Sequence, residues 1–346
     1  MAKQVSARTA LVKYLLLRLV LIIPTVWILI TVVFIFMRAI GDPITASQGG
    51  RLPPDEIEAR KQAAGYNDPL IVQYGRFLFG VLQGDFGRTT DNQSVTHILT
   101  AYGPATLELV FWALVVAFLV GIPLGRLAAR KYNQGPDIAI RTFAVFFYAA
   151  PVFFVALLLK LVFSIWLRWL PISGRASPRT EIALKSVDVN THIYIVNAIQ
   201  LGDWPVIVDV LQHAVLPGVA LGLLTAGVFI RMIRINLLQT LRADFVTAAR
   251  ARGVSEGKVV SKHAFRNALI PVVTVMGMQI AMMLGGAILT ETTFEWQGLG
   301  YWLSQYILKR DFVAVQGITT AIAVIIAFAS FLIDAINALI DPRVRY

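Results

Sequence analysis

Six stretches of the chain are apolar over enough residues to cross a lipid bilayer, which takes about 20 residues in a helix. They lie near 15–38, 105–127, 142–165, 213–233, 269–290 and 314–336. Each is a continuous apolar run, whereas a membrane β-barrel shows alternating segments of about 10 residues. The pattern therefore predicts an all-α membrane protein with six transmembrane helices.

Two stretches need separate interpretation. The first apolar run is longer than the core of a signal peptide, which has about 7–15 residues, and no small-residue cleavage site follows it. We therefore expect a retained first helix. The stretch 68–87 is interrupted by Gln73, Arg76 and Gln83, while its apolar residues recur at helical spacing. This pattern predicts an amphipathic helix that lies on the membrane surface.

The composition supports a membrane protein over a soluble enzyme. Of 346 residues, 57% are hydrophobic and 15% are charged, whereas soluble domains carry about 25% charged residues. The absence of cysteine excludes disulfides, thiolate-bound zinc, iron–sulfur clusters and a cysteine nucleophile. The four histidines are scattered without a metal-ligand spacing, so we expect no metal site and no catalytic residues; the histidines are His97, His192, His213 and His263.

The net charge of +11 is distributed unevenly along the chain. The N-terminal 18 residues carry +4, segment 126–141 carries +3, segment 231–267 carries +6 and the last six residues carry +1. The intervening segments 39–104, 168–210 and 291–312 are neutral or slightly acidic. By the positive-inside rule the basic segments are cytoplasmic, and so are both termini. The charge reports membrane topology, and no nucleic acid is expected as a partner.

These spans organise the chain as one transmembrane domain over residues 1–346. We expect an extracytoplasmic segment at 39–104, an extracytoplasmic loop at 168–210 and a cytoplasmic loop at 234–268. No internal repeat is present, which does not favour an inverted-repeat transporter. Five prolines lie in or near the predicted helices and predict kinks there: Pro24, Pro123, Pro151, Pro217 and Pro271.

The small and charged residues inside the apolar stretches can each be interpreted in more than one way. The glycine pairs 121/125 and 218/222 predict close helix packing, within the chain rather than between subunits. Charges within spans often have a function. Glu108 could instead favour the start of a helix that begins near Pro104, Lys160 could reach the outer membrane surface, and Asp334 lies close to the inner end.

The cytoplasmic segment 244–271 has the sequence DFVTAARARGVSEGKVVSKHAFRNALIP. It predicts two short helices joined at Gly253, because glycine suits the left-handed conformation that ends a helix. Phe245, Val246, Ala249 and Val259 place apolar residues among basic ones. We interpret these residues as patches by which the two-helix loop docks into another protein. The alternative is a solvated basic loop.

This stretch resembles the "EAA" signature of permeases from ATP-binding cassette (ABC) importers. Ala248, Ala249 and Gly253 match the signature in spacing, while Thr247 stands where the signature has glutamate. The later signature positions, 263, 265 and 266, also differ. Several other segments resemble the dipeptide, oligopeptide and nickel branch of these permeases: GDP at 41–43, residues 68–89, PATLEL at 104–109, residues 291–317 and the C-terminal residues. The stretch 175–209 matches least.

The resemblance implies the type I ABC importer permease fold in a bacterial or archaeal cell membrane. It implies that this chain forms half of a pathway with a second homologous permease, that two cytoplasmic ATP-binding subunits drive it, and that an extracytoplasmic binding protein delivers di- or oligopeptides. ATP and Mg²⁺ then bind the partner subunits. The stretch 253–260 is one residue too short for a phosphate-binding loop, and Val259 follows its lysine, so we expect no cofactor on this chain.

The same resemblance implies contact residues on both sides of the membrane. The expected contacts to the ATP-binding subunit are Thr247, Ala248, Ala249, Gly253, Ser255 and Glu256. The expected contacts to the binding protein are Asp85, Arg88, Glu295, Trp296 and Arg310, although tryptophans 296 and 302 could instead be anchors at the membrane surface. Nickel, haem, glutathione or opines are alternative substrates. An ion-coupled secondary transporter and a membrane-embedded enzyme are alternative functions.

Overall fold

The computed structural model describes residues 7–42, 44–45, 53–63 and 65–340. Within these ranges the chain is helical and contains no β-strand. The helices are α1 (Ala7–Ile40), α2 (Pro54–Ala63), α3 (Leu70–Leu82), α4 (Val95–Arg130), α5 (Gly135–Ala149), α6 (Val152–Leu159), α7 (Pro178–Leu184), α8 (Tyr194–Leu201), α9 (Trp204–Leu241), α10 (Asp244–Ala251), α11 (Glu256–Lys258), α12 (Phe265–Phe294), α13 (Leu299–Leu308) and α14 (Phe312–Ile340). The wider π-helical turns Lys160–Trp166 and Val259–Ala264 follow α6 and α11.

Five helices in the described ranges, α1, α4, α9, α12 and α14, are long and apolar enough to cross a membrane. The third predicted span is a pair of helices, α5 and α6 with its π-helical turn, bent by 107°. The bend lies at Ala150 and Pro151, where Ala150 is extended because proline disfavours helical backbone in the residue before it. Counting the bent pair as one span, the six-helix prediction and the kink at Pro151 are confirmed. The orientation of the termini stays a prediction.

Helices α4 and α9 form the central pair and run parallel, and glycines bring them together. A Cβ on Gly121 would lie 2.8 Å from Phe229 Cβ, and one on Gly222 would lie 2.6 Å from the Ala113 carbonyl oxygen. No larger residue fits at these positions without a shift of the helices, because interiors are close-packed. The predicted packing of the glycine pairs within the chain is confirmed.

Helices α1 and α14 pair at the edge of the bundle. Arg18 of α1 lies 3.1 Å from Asp334 of α14, and both side chains are partly exposed. Farther along α1, the Thr31 and Tyr74 hydroxyls are 2.7 Å apart, which holds α3 against α1. The helix predicted within 68–87 is present as α3, and its Gln73 is buried. The ion pair between Arg18 and Asp334 therefore joins α1 to α14.

The two ends of the bundle differ in composition. At one end, Arg126 stacks on the Phe265 ring at 4.5 Å, and Asp137 binds Arg234. We name this end, which contains residues 126–141 and 231–268, the basic end. At the opposite end, Glu108, Arg175 and Trp296 come together. Charged side chains therefore connect the helices at both ends of the apolar core.

Candidate functional site: a helical knob at the basic end

Residues 244–264 form a helical knob at the basic end. Helix α10 ends at Ala251, and Gly253 turns the chain in the left-handed conformation with φ of +74°. The Val254 N–H then donates to the Ala249 carbonyl at 3.3 Å, which closes the turn. The second helix begins after Ser255 and widens into the π-helical turn that continues into α12. The knob is thus covalently continuous with two long helices, α9 and α12.

An ion pair holds the two halves of the knob together. The Arg250 guanidinium donates to both Glu256 carboxylate oxygens, at 3.0 and 2.7 Å. These hydrogen bonds lower the pKa of Glu256 below its ordinary value. Both side chains are exposed, so the pair defines the shape of the turn more than it stabilises the fold.

The apolar side of the knob packs against its own chain, which corrects the predicted docking patches. Val246, Ala249 and Val259 are buried against Ala129 and Leu237 at the ends of α4 and α9. Positions 246 and 249 lie on the same face of α10, and that face closes the bundle. Of the apolar residues assigned to docking, Phe245 stays exposed. The knob is therefore packed onto the core through its apolar side.

The six expected contacts to an ATP-binding subunit separate into two groups. Ala249 is 1% exposed and is unavailable to a partner, so that expectation is wrong. The remaining five residues are exposed on the knob: Thr247, Ala248, Gly253, Ser255 and Glu256.

A buried carboxylate next to the knob was not recognised from the sequence. Asp137, at the start of α5, is fully buried and accepts two hydrogen bonds from Arg234 of α9, at 2.7 and 2.8 Å. It also accepts one from the Asn133 N–H at 2.9 Å. This contact fixes the turn between α4 and α5 to the part of α9 that leads into the knob. The signal in the sequence is that Asp137 is the one acidic residue of segment 126–141.

Glu108 forms a second buried ion pair at the opposite end. Its carboxylate accepts from Arg175 at 2.6 Å and from the backbone N–H groups of Tyr194 and Ile195 at 3.2 and 2.9 Å. The helix containing Glu108 begins at Val95, so the explanation through a helix start near Pro104 is wrong. The Arg175 guanidinium also stacks on the Tyr194 ring at 3.6 Å. Glu108 therefore fastens the poorly matching stretch 175–209 to the core.

Trp296 belongs to this buried cluster and not to the surface. It is fully buried, its indole N–H donates to the Ala105 carbonyl at 2.8 Å, and its ring lies 5.5 Å from Arg175. Both its assignment to binding-protein contact and its alternative as a membrane-surface anchor are wrong. Lys160 likewise points into the protein, where it donates to the Thr293 carbonyl at 2.7 Å and joins the bent span to α12.

The other four expected contacts to a binding protein are exposed at this end. Asp85 and Arg88 lie on the loop before α4, while Arg310 precedes α14 with φ of +56°. Asp311 accepts from the Thr90 N–H at 2.6 Å, which holds these two segments side by side. Glu295 ends α12 in the left-handed conformation, and no contact in the described part of the chain joins it to the other three.

No group of three or more histidines and carboxylates that could hold a metal ion occurs in the described ranges. The expected contact residues that are exposed lie on two surfaces, the knob at the basic end and the loops at the opposite end. Neither contains a nucleophile with a paired base. Their geometry suits docking and the transmission of movement.

Comparison with known proteins identifies the family. Residues 11–110 and 121–346 match, respectively, the N-terminal part and the main part of the binding-protein-dependent transport system inner membrane component. The chain belongs to this family of ABC transporter permeases. It is 35% identical over 332 residues to the di/tripeptide transport system permease protein of Pseudomonas aeruginosa, covering 95% of this chain and 97% of the relative.

Two further relatives match over nearly their whole length. The dipeptide transport system permease protein of Escherichia coli is 34% identical over 339 residues, covering 97% of this chain and 99% of the relative. The glutathione transport system permease protein of Salmonella paratyphi A is 33% identical over 338 residues, covering 97% and 100%. The permease family assignment thus extends over both the knob and the opposite-end loops.

Proposed function

We propose that this permease chain forms half of the translocation pathway of an ABC importer for di- or oligopeptides. The observation that carries the proposal is the knob, whose buried side is continuous with the core while its outer side stays exposed. A movement applied to the exposed side is then transmitted to α9 and α12 as a rigid body. Substrate class is proposed from the relatives, which are peptide permeases.

The knob docks onto a cytoplasmic ATP-binding subunit through Thr247, Ala248, Gly253, Ser255 and Glu256. Two such subunits bind ATP and Mg²⁺ and hydrolyse ATP, while this chain binds no cofactor and catalyses no reaction. This arrangement places both termini in the cytoplasm of a bacterial or archaeal cell, as the positive-inside rule predicts. The basic end is then the cytoplasmic end.

A second, homologous permease completes the pathway. One face of α12 supports this partner, because Met278, Met282 and Leu289 are exposed along it although the helix is central to the bundle. Gly285 and Gly286 lie on the same face, with open space where a side chain would be. Small residues allow membrane helices to approach closely. We propose that this face receives a helix of the second permease.

An extracytoplasmic binding protein delivers the substrate at the opposite end. The exposed loops that carry Asp85, Arg88 and Arg310 are held together by Asp311 and Thr90, which supports a preformed docking surface. Glu295 is a separate contact in this proposal. The burial of Trp296 supports its role as a brace within the loop 295–298, because its hydrogen bond to Ala105 fixes that loop to α4.

The test is purification of the tagged chain from its own host in mild detergent, with mass spectrometry of the proteins that accompany it. The proposal expects a second permease and two ATP-binding chains. Recovery of the chain alone from membranes in which it is abundant would contradict an obligate complex, and uptake in ATP-free proteoliposomes would then favour an ion-coupled transporter.

Substrate is tested separately, by competition in reconstituted uptake of a labelled dipeptide. Unlabelled dipeptides and tripeptides are expected to compete at the lowest concentrations. Glutathione is the second candidate because one relative is a glutathione permease, and it is itself a tripeptide. Competition by nickel or haem alone would overturn the peptide assignment without affecting the importer assignment.

A further inference from the structure

A groove of about 450 Å³ opens between α5 and α9 at the basic end. Its walls are mostly apolar and include Val145, Tyr148, Val228 and Ile235. Its floor is closed where the two helices touch, because a Cβ on Gly227 would lie 2.7 Å from the Ala144 carbonyl oxygen. The groove shares one residue with the contacts described above, Arg234, which lines it and binds Asp137.

On each wall of the groove an arginine lies nearer the basic end than the apolar residues deeper in the bundle. Helices α5 and α9 run in opposite directions, since Asp137 contacts Arg234 while Ala144 meets Gly227. On α5, Arg141 lies at the basic end, and Val145 and Tyr148 follow away from it. On α9, Val228 comes first and Arg231 follows towards the basic end. Two independent segments therefore place cations at one end of the groove and apolar side chains deeper in the bundle.

The arginines at this end of the groove outnumber the carboxylate that neutralises them. Arg234 is engaged by Asp137 through two hydrogen bonds. Arg141 Nε lies 3.6 Å from the same carboxylate, which is already neutralised. Arg231 is exposed and has no ion pair within the described ranges. Two guanidinium groups thus share one carboxylate and Arg231 has no ion pair in the described part of the chain, so Arg141 and Arg231 are available to an external anion.

We propose that this groove binds an anionic phospholipid, with its phosphate on Arg141 and Arg231 and an acyl chain along Val145, Tyr148 and Val228. The bilayer supplies a molecule with this order of charged and apolar parts, and basic pockets between membrane helices favour anionic headgroups. A transmembrane helix of a partner would have to bring a carboxylate to the same level, which is costly in a membrane. The position of this lipid in the cytoplasmic leaflet rests on the proposed topology. The shape and lining of the groove do not depend on that topology.

The test uses the complete transporter in nanodiscs that contain phosphatidylcholine and phosphatidylglycerol, with native mass spectrometry of the lipids retained. The test variant is Arg141→Gln with Arg231→Gln. The matched control is Arg130→Gln with Lys131→Gln, which removes two exposed positive charges from the end of α4, outside the groove. Wild type and control are expected to retain phosphatidylglycerol, and the test variant is expected to retain it about tenfold less.

Three results would overturn the proposal. Equal phosphatidylglycerol retention by the test variant and the control would show that the two arginines hold no lipid. Loss of the second permease from the test variant would instead make the groove a protein interface. A raised KM for peptide with unchanged lipid retention would make it part of the substrate pathway. The first two readouts do not depend on the substrate assignment, whereas the third is measured with peptide and rests on the proposed function.

A second measurement covers the case in which the test variant fails to assemble. Wild-type transporter is reconstituted with a phosphatidylglycerol that carries a photoreactive group on its acyl chain, and cross-linked peptides are mapped. The proposal expects cross-links within 144–148 and 227–235, competed by unlabelled phosphatidylglycerol and not by phosphatidylcholine. Cross-links confined to other helices, or equal competition by both lipids, would contradict it.

Discussion

The two ends of the permease each contain a buried carboxylate that is paired with an arginine, but they use it differently. At the basic end Asp137 and Arg234 join two neighbouring elements, and the Arg234 side chain is 14% exposed. At the opposite end Glu108 and Arg175 are both almost completely buried, and the pair fastens a long irregular segment to the core. Both ends combine a buried ion pair with apolar packing, since Leu184 and Ala198 of the opposite-end segment pack against Val210 of α9, and the ends differ in how deeply the pair is buried.

The largest expected effect comes from breaking the opposite-end pair. Glu108→Ala leaves the Arg175 charge buried without a partner and removes the acceptor of the Tyr194 and Ile195 N–H groups. Removing one partner of a buried ion pair costs roughly 3–5 kcal/mol. We expect a loss of this size in the free energy of unfolding, measured by SDS titration in mixed micelles.

Asp203→Ala is the matched control. It removes an exposed carboxylate at the same end, and this carboxylate makes no capping hydrogen bond to the start of α9. It should change stability by less than about 0.5 kcal/mol. If Glu108→Ala is no more destabilising than this control, the ion pair does not fasten the segment. The double variant Glu108→Leu with Arg175→Met should recover part of the loss, since it leaves no unpaired charge.

A smaller effect is expected from the basic-end pair. Asp137→Asn removes the charge that Arg234 binds, but Arg234 can turn towards water because it is partly exposed. Hydrogen bonds to charged groups contribute about 1.5–3 kcal/mol, so the same SDS titration should show a loss in that range. Asp244→Asn, at an exposed acid in the first turn of α10, is the control. A loss larger than that of Glu108→Ala would reverse the comparison.

The smallest effect is expected from the ion pair within the knob. Glu256→Gln breaks the pair with Arg250, in which the side chains are 61% and 40% exposed, so the cost should be at most about 0.5 kcal/mol. The pKa of Glu256 is lowered in the folded chain. Its contribution is therefore present above the ordinary pKa of 4.5 and is lost as the pH falls through the folded value.

Stability of wild type and Glu256→Gln should accordingly differ slightly at pH 7 and converge in acid. Stability curves at pH 7 and pH 3, at low and high salt, test this expectation. A difference that grows as the pH falls would mean that the protonated carboxyl, not the ion pair, stabilises the knob.

The sequence predicted the features that are set by local pattern. Continuous apolar runs predicted the spans, helical periodicity predicted α3, and Gly253 predicted the turn of the knob. Long-range pairing could not be predicted in this way, because Glu108 and Arg175 are 67 positions apart and neither has a local signal for the other. The periodicity of α10 indicated that Val246 and Ala249 share a face, but not that this face closes the bundle. Trp296 was likewise misassigned because the sequence does not show what covers it.

We propose that the knob couples this permease to an ATP-binding subunit, and a substitution at Gly253 alters the turn on which this coupling depends. Gly253→Val places a β-branched residue at φ of +74°, which strains the turn by about 1–2 kcal/mol. Gly257→Val is the matched control, because Gly257 is exposed on the same knob, has open space around it and lies in ordinary helical backbone.

The measurement is ATP-driven peptide uptake by the complete transporter in proteoliposomes, at equal amounts of assembled complex. We expect Gly253→Val to lower uptake by about tenfold, since strain of this size shifts the tip of the knob out of its docking position, while Gly257→Val transports nearly as wild type. Equal uptake by the two variants would contradict the claim that the shape of the knob couples ATP hydrolysis to transport.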